Sequence, residues 1–295
     1  MNDVLLALRG VAKSYASGPR TNQVLADVNL EVRRGEFVAV VGYSGSGKTT
    51  LMSLLAGLIE PDAGEVLFDG RPVSGPGPER GLVFQNYSLL PWLTVYGNIA
   101  LAVDQVLRDW PAAKRREHVL RFIELVNLTP AVHKRPKELS GGMRQRVSLA
   151  RTLATSPEVL LLDEPLGALD ALTRGTLQQE IARIWQEDLG TCVMITNDID
   201  EAILLADRIV PLTPGPGATL GPSFAVDLAR PRNKTELNHD ERFKQLRNAV
   251  TTWLVESRQR ARTETKRILQ PAMLPNLSPV DFHRGKLRPT LATMS

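Results

Sequence analysis

One cysteine and four histidines in 295 residues leave this sequence with little from which to build a disulfide framework or a metal centre. Cys192 sits among Thr191, Val193, Met194 and Ile195, the surroundings of a small buried strand residue in a reducing compartment. His118, His133, His239 and His283 show no metal-ligand spacing, so no zinc site is expected. No apolar run approaches the ~18 to 20 residues that cross a bilayer. Met1-Asn2-Asp3-Val4 has neither the basic nor the apolar segment of a secretory signal, so a cytosolic chain is expected. Internal repeats are absent too.

Large excess charge is also missing on average, with a net of +4, but the distribution is uneven. Residues 231–295 hold 13 Lys/Arg against 6 Asp/Glu, which leaves a net of −3 on the rest. Arg232, Arg258, Arg260, Arg262, Lys266, Arg267 and Arg288 belong to this basic stretch. It could meet anionic headgroups or nucleic acid, or simply be a solvated helix with a disordered end. The 43% hydrophobic content is enough for a core.

Phe37–Val41 is a continuous apolar run, as in a strand buried on both faces of a parallel sheet. Short strands are expected at Leu5–Leu8, Val24–Val32 and Glu65–Gly70, with a turn at Ser17-Gly18-Pro19. Thr49–Ala56 reads as a helix ended by Gly57. From Tyr87 to Leu153 the pattern is largely helical, with Val119, Leu120, Phe122, Ile123 and Val126 at near-helical spacing. Sheet-type runs return at Val159–Leu162 and Cys192–Ile195 with a helix Thr173–Glu187 between them, an alternation that implies right-handed crossovers in a parallel core. The expected fold is therefore α/β. Beyond Pro211 the prolines and glycines mark loop, a helix is expected over Glu241–Arg260, and Pro271 onward reads as poorly ordered.

Three motifs carry chemistry. Gly42-Tyr43-Ser44-Gly45-Ser46-Gly47-Lys48-Thr49, with Thr50 following, lies between a buried strand and a helix. A triphosphate needs several backbone N–H donors at close range, and glycines let the chain wrap it without Cβ clashes. Lys48 is the compact charge for the outer phosphates, and the Thr49 hydroxyl is the usual Mg²⁺ ligand of such a loop. Asp163 and Glu164 follow Val159–Leu162, which carries them to the C-terminal edge of a sheet, where ligands of open α/β folds collect. Asp163 suits Mg²⁺ binding and Glu164 can polarise an attacking water. Ser140-Gly141-Gly142 is an ordinary helix N-cap or, by the same physics, a second anion site. Because the glycine loop already holds one triphosphate, a second site would serve another molecule's nucleotide in a head-to-tail dimer.

On these motifs the chain resembles the ATP-binding subunits of ABC transporters, over roughly residues 4–230, with a helical subdomain at about 87–153 and a basic extension at 231–295. The resemblance implies a P-loop NTPase: a RecA-like parallel core with an N-terminal antiparallel β-subdomain and an inserted helical one. Gly42–Thr49 matches the Walker A, Leu139–Gln145 the signature motif, including Ser140, Gly141, Gly142 and Gln145, and Leu160–Glu164 the Walker B. Gln85, after Val83-Phe84, matches the glutamine that touches Mg²⁺ and senses the membrane partner. Gly167-Ala168-Leu169-Asp170 matches the D-loop, and Tyr15 stands where the family places an aromatic that stacks on adenine.

One departure matters. Where the family has a histidine contacting the γ-phosphate, this sequence reads Ile195-Thr196-Asn197-Asp198. Asn197 can donate a hydrogen bond but cannot carry positive charge. Either a different subunit supplies the histidine, or Asn197 suffices with Glu164 as base and turnover is reduced but real.

The resemblance also implies partners and place. These are a second ATP-binding subunit in a homodimer or heterodimer, permease subunits met near Gln85–Leu93, and an external solute-binding protein met indirectly. No nucleic acid is implied, and the chain would sit peripherally on the cytoplasmic face of the cell membrane. Tyr87, Leu89, Leu90, Pro91, Trp92 and Leu93 form an apolar loop that either docks a permease helix or packs the helical subdomain. Ala168–Arg174, Ala206–Val210 and Ala229–Arg232 are similar to importers of nitrate, sulfonate and taurine. Asn197-Asp198, with Leu237–Asp240 and Leu246–Asn248, leans to the nitrate/nitrite branch; taurine, sulfonate and bicarbonate importers are the close alternatives. The readings from other classes are a soluble ABC-type ATPase of DNA repair or translation, and a non-hydrolytic regulatory subunit.

Overall fold

The computed structural model describes residues 3–17, 20–167, 169–188 and 190–268. The centre of the Ser17-Gly18-Pro19 turn, Ala168, and the run from Pro271 through Arg288 lie outside the described residues. The chain opens with a long hairpin, β1 (Val4–Ser17) and β2 (Arg20–Arg33), then enters β3 (Phe37–Val41) and α1 (Lys48–Leu55). Next come β4 (Ala63–Phe68), β5 (Arg71–Pro72) and β6 (Arg80–Val83). Three helices follow: α2 (Val95–Val106), α3 (Ala112–Leu125) and α4 (Gly141–Leu153). The second half alternates β7 (Val159–Asp163), α5 (Ala171–Asp188), β8 (Thr191–Thr196), α6 (Ile199–Leu205) and β9 (Arg208–Pro211). It finishes with β10 (Phe224–Ala225), α7 (Lys234–Leu237) and α8 (Glu241–Ile268).

Two sheets result. The antiparallel one has the order β2-β1-β4-β5, and the other, β10-β9-β3-β8-β7-β6, is parallel except at β10. Parallel neighbours need covered crossovers, and α1, α4, α5 and α6 supply them. Both faces are accordingly buried: Phe37, Ala39 and Val41 face one core cluster, and Val38 and Val40 the other. That is why the strand shows no polar alternation.

The hairpin strands are longer than the short strands expected from the sequence. Register shifts within β1–β2, between Leu8 and Val11 and again between Val11 and Ser14, break the period-2 pattern that would reveal their full length. On α3, Val119 and Ile123 are buried, whereas Leu120 is 42% exposed despite its place in the apolar repeat. The C-terminal helix runs eight residues beyond the expected end at Arg260, to Ile268. Part of the basic stretch is structural. Arg232, half-buried, donates to the carbonyls of Ile203, Ala206, Val226 and Leu228. Just before the stretch, Arg230 pairs with Asp207 at 2.6 Å while covering the Trp185 ring. These two arginines fasten the segment before α8 to the end of α6. Cys192 is fully buried in β8, and burial pushes its thiol pKa up, which suits packing rather than reactivity.

Candidate nucleotide site

The C-terminal ends of β3, β7 and β8 lie side by side, since β3 pairs with β8 and β8 with β7. The glycine loop leaves β3, the Asp163-Glu164 pair ends β7, and Asn197 follows β8. Loop and helix meet through glycine geometry: Gly45 has φ +78° and Gly47 φ +98°, conformations that L side chains avoid, and a Cβ at Gly47 would press on Val24 and Leu25. Left-handed residues interspersed in such a loop turn successive N–H groups inward into an anion-binding nest. α1 then begins at Lys48 with no side-chain cap, leaving its first N–H groups and positive dipole end to a ligand.

Lys48 is 4% exposed, and a buried ammonium needs partners. Its Nζ donates to Gly42 O at 3.1 Å, Tyr43 O at 3.0 Å and Asn197 Oδ1 at 2.6 Å, and lies 3.2 Å from Glu164 Oε1. Asn197 Nδ2 in turn donates to Glu164 Oε1 at 2.9 Å, and Gln85 Nε2 to Glu164 Oε2 at 3.2 Å. The Glu164 carboxylate is therefore held from three sides. It reaches this position through an unusual backbone: φ is +43°, in the left-handed region that a glutamate rarely occupies. Such strain costs on the order of 1–3 kcal/mol and persists only where the surroundings impose it.

Asp163, one residue earlier, is 5% exposed. Burial, with the neighbouring Glu164 charge, pushes its carboxyl pKa up to about 6; Lys48 and a hydrogen bond from Thr49 pull the other way. Its Oδ1 is buried without a hydrogen-bond partner. An orphaned hard oxygen beside the Thr49 hydroxyl is the arrangement a small divalent cation would relieve, and the Gln85 side chain is close at hand through Glu164. The residues present thus fit Mg²⁺.

Of these groups, Gln85, Glu164 and Asn197 open onto a cavity of about 510 Å³ whose wall also includes Gly167 and Thr196 but no residue of the glycine loop. Reading the sequence missed most of the remaining wall, including Arg174, Asp198, Asp200 and Glu201, and Arg247 and Thr251 from α8. No local motif could have flagged the last two, which come from a different part of the chain. Glu201 is 4% exposed, accepts from the Thr196 hydroxyl, and has a pKa raised to about 7 chiefly by burial.

The other expected residues lie elsewhere on the surface or inside. Ser140 caps α4 by accepting from Met143 N at 3.3 Å and is itself exposed. The neighbours of its glycines are Tyr87, Leu169 and Thr173 rather than the glycine loop. Gln145 is buried, with Oε1 unpartnered. Asp170 accepts from Thr173 N at the start of α5. Tyr15 is 42% exposed on the hairpin, 5.9 Å beneath Lys13 Nζ. In the loop itself Ser44 is exposed, Thr50 half-buried and Ser46 buried with Oγ unpartnered, while Tyr43 packs half-buried against the core. Of the apolar segment after Gln85, Leu89 packs on the helical core and Trp92 is 65% exposed. Arg151 of α4 donates to the carbonyls of Tyr87 and Ser88, tying that segment to the helix that Ser140 begins.

A phosphate loop, a carboxylate pair on the next strand but one and a capped serine-glycine helix on the outside define a P-loop nucleotide-binding protein with the architecture of an ATP-binding cassette. The family model described as ABC transporter matches residues 25–167. The nitrate transport protein NasD of Klebsiella oxytoca is 47% identical over 258 residues, covering 87% of this chain and 98% of that protein. The nitrate import ATP-binding protein NrtD of Synechococcus elongatus is 48% identical over 244 residues, 83% of this chain and 89% of that one. The chain belongs to the ABC transporter family. It spans only 40% of the bicarbonate transport ATP-binding protein CmpC of the same cyanobacterium, with 47% identity over 266 residues. Among solved structures, the dimeric post-hydrolysis state of the cassette MJ0796 bound to ADP and Pi superposes with a TM-score of 0.67 at 30% identity. That match covers 76% of this chain and all of the other.

Proposed function

We propose that this chain is the ATP-hydrolysing subunit of an importer for a small oxyanion, nitrate or nitrite first. The convergence of Lys48, Gln85, Glu164 and Asn197 at the edge of the parallel sheet carries the reading. On it, residues 4–230 form the nucleotide-binding domain, with the helical subdomain at about 87–153, and residues 231–295 an extension. The glycine loop Gly42–Thr50 would wrap the phosphates. Lys48 would exchange its carbonyl and amide partners for phosphate oxygens, which releases Glu164 to accept a proton from water. Thr49, Asp163 and Gln85 would hold Mg²⁺, which would supply charge neutralisation of the phosphate oxygens. Asn197 keeps Glu164 oriented and can give a hydrogen bond to a phosphate oxygen. Tyr15 would stack on the adenine.

Ser140, Gly141, Gly142 and Gln145 would close the nucleotide of a second ATP-binding subunit, with Asp170 at the junction. The exposed Ser140 turn, whose glycines have Tyr87, Leu169 and Thr173 as their nearest neighbours, supports this shared arrangement. Permease subunits would meet the Gln85–Leu93 segment, where Trp92 is 65% exposed. The chain would then lie on the cytoplasmic face of the membrane beside an external solute-binding protein's transporter. Nitrate leads because NasD and NrtD, matched along nearly their whole length, are 47% and 48% identical, against 44% for a bicarbonate transport protein matched over 91% of its length. Bicarbonate is the second reading, supported by CmpC.

The test is ATP turnover by the complex with Glu164→Gln. Turnover should fall to background while nucleotide binding persists. Turnover at the parent rate would refute Glu164 as base, and uptake of bicarbonate but not nitrate would replace the solute assignment.

A further inference from the structure

The basic extension is not an appendage to the site. α8 is anchored by an apolar stripe, Phe243, Leu246, Val250, Trp253 and Leu254, packed against the core that carries β3, β7 and β8. Beside that stripe runs a polar one. Residues 247, 251 and 258 are four and seven apart, so they share a face of a helix with 3.6 residues per turn. Along it, Arg247 lies 2.9 Å from Asp200 on α6 and, together with Thr251, lines the cavity bordered by Gln85, Glu164 and Asn197. About three turns further on, the Arg258 guanidinium stands 4.8 Å over the ring of Tyr43 in the glycine loop. The two segments that α8 grips are the ones joined by the Lys48–Asn197 hydrogen bond at 2.6 Å.

We propose that α8 is a positioning strap of the nucleotide site, with Arg258 seating the glycine loop through Tyr43 and Arg247 seating the Asn197–Glu201 turn through Asp200. This rests on reading the Lys48, Glu164 and Asn197 cluster as part of the nucleotide site. Neither arginine is given a phosphate to bind in this proposal. Each acts through the residue it holds. Arg258 governs the loop that binds nucleotide, and Arg247 governs the turn that orients Glu164, so their loss is felt in different kinetic constants. The strap also makes the extension a lever: anything that lifts α8 loosens both halves of the site at once.

The experiment uses the full-length chain in its complex and double-variant cycles. Arg258→Ala should raise the Kd for ATP about twofold to fivefold, the range of an exposed cation–π contact. It should leave thermal stability unchanged, because Arg258 is exposed. The same change in a Tyr43→Leu background should do nothing further, and Arg258→Lys should restore part of the affinity. Arg247→Asp should lower kcat several-fold at nearly constant KM, and adding Asp200→Arg should return part of it. Parent protein that binds ATP while Arg258→Ala binds it equally well, or with the same loss in the Tyr43→Leu background, overturns the strap. Equal rates for Arg247→Asp and the parent do the same. Parent protein that binds no ATP overturns the underlying nucleotide reading instead.

Discussion

Replacing Asn197 with alanine separates holding the base from merely lining the cavity. The amide makes two charge-assisted hydrogen bonds, accepting from Lys48 at 2.6 Å and donating to Glu164 at 2.9 Å. Hydrogen bonds to charged groups contribute ~1.5–3 kcal/mol when buried. Asn197 is exposed, so a discounted total of about 1–2 kcal/mol is appropriate. Lys48 keeps the Gly42 and Tyr43 carbonyls and Glu164, and therefore stays compensated. A melting temperature lower by about 2–8 °C follows from ~2–4 °C per kcal/mol at this size. Turnover should fall much further, by ~10²–10³, as for loss of one preorganised donor. ATP affinity should change little, because removing an acceptor that competes for Lys48 offsets the looser site. The assay is steady-state ATPase activity of the complex beside calorimetric ATP binding and thermal melting. Turnover within twofold of the parent would refute the role given to Asn197. Asn197→His completes the test: a higher rate than the parent would mean that positive charge, which asparagine lacks, limits this site.

Ser140→Arg should abolish turnover by the complex while costing the chain about 1 kcal/mol from the lost cap, and full-speed hydrolysis would dismiss the shared site. Glu201 provides a pH readout. Its native pKa of about 7 lies above the ordinary 4.5 because burial outweighs the Thr196 hydrogen bond and Arg174, with Asp198 and Glu164 adding to the rise. Its contribution is therefore fully present below about pH 4.5 and lost as pH rises to about 7, by at most ~3 kcal/mol. Glu201→Gln should flatten the melting temperature across that window, and an unchanged slope would contradict the assignment.

The fold and most of the site could be read along the chain wherever the physics is local. Phe37–Val41 announces a two-faced buried strand by its unbroken apolar run, and Gly57, with φ +73°, ends α1 where the pattern stops. β1 and β2 were harder, because bulges interrupt their alternation. Leu120 shows the limit of periodicity: correct spacing does not guarantee a neighbour to pack against. Arg232 reads as part of a loose basic stretch, yet the carbonyls of Ile203, Ala206, Val226 and Leu228 engage it.

By itself, the amino-acid order determined the phosphate loop, the carboxylate pair and the α/β alternation, because each depends on backbone freedom and side-chain period within a few neighbours. Tertiary structure alone decided how these parts meet. It forced Glu164 to φ +43°, set Asn197 between Glu164 and a lysine 149 positions away, and laid Arg247 against Asp200 and Arg258 over Tyr43. Such contacts are fixed by which strands become neighbours in a sheet, and no short window of residues contains that information.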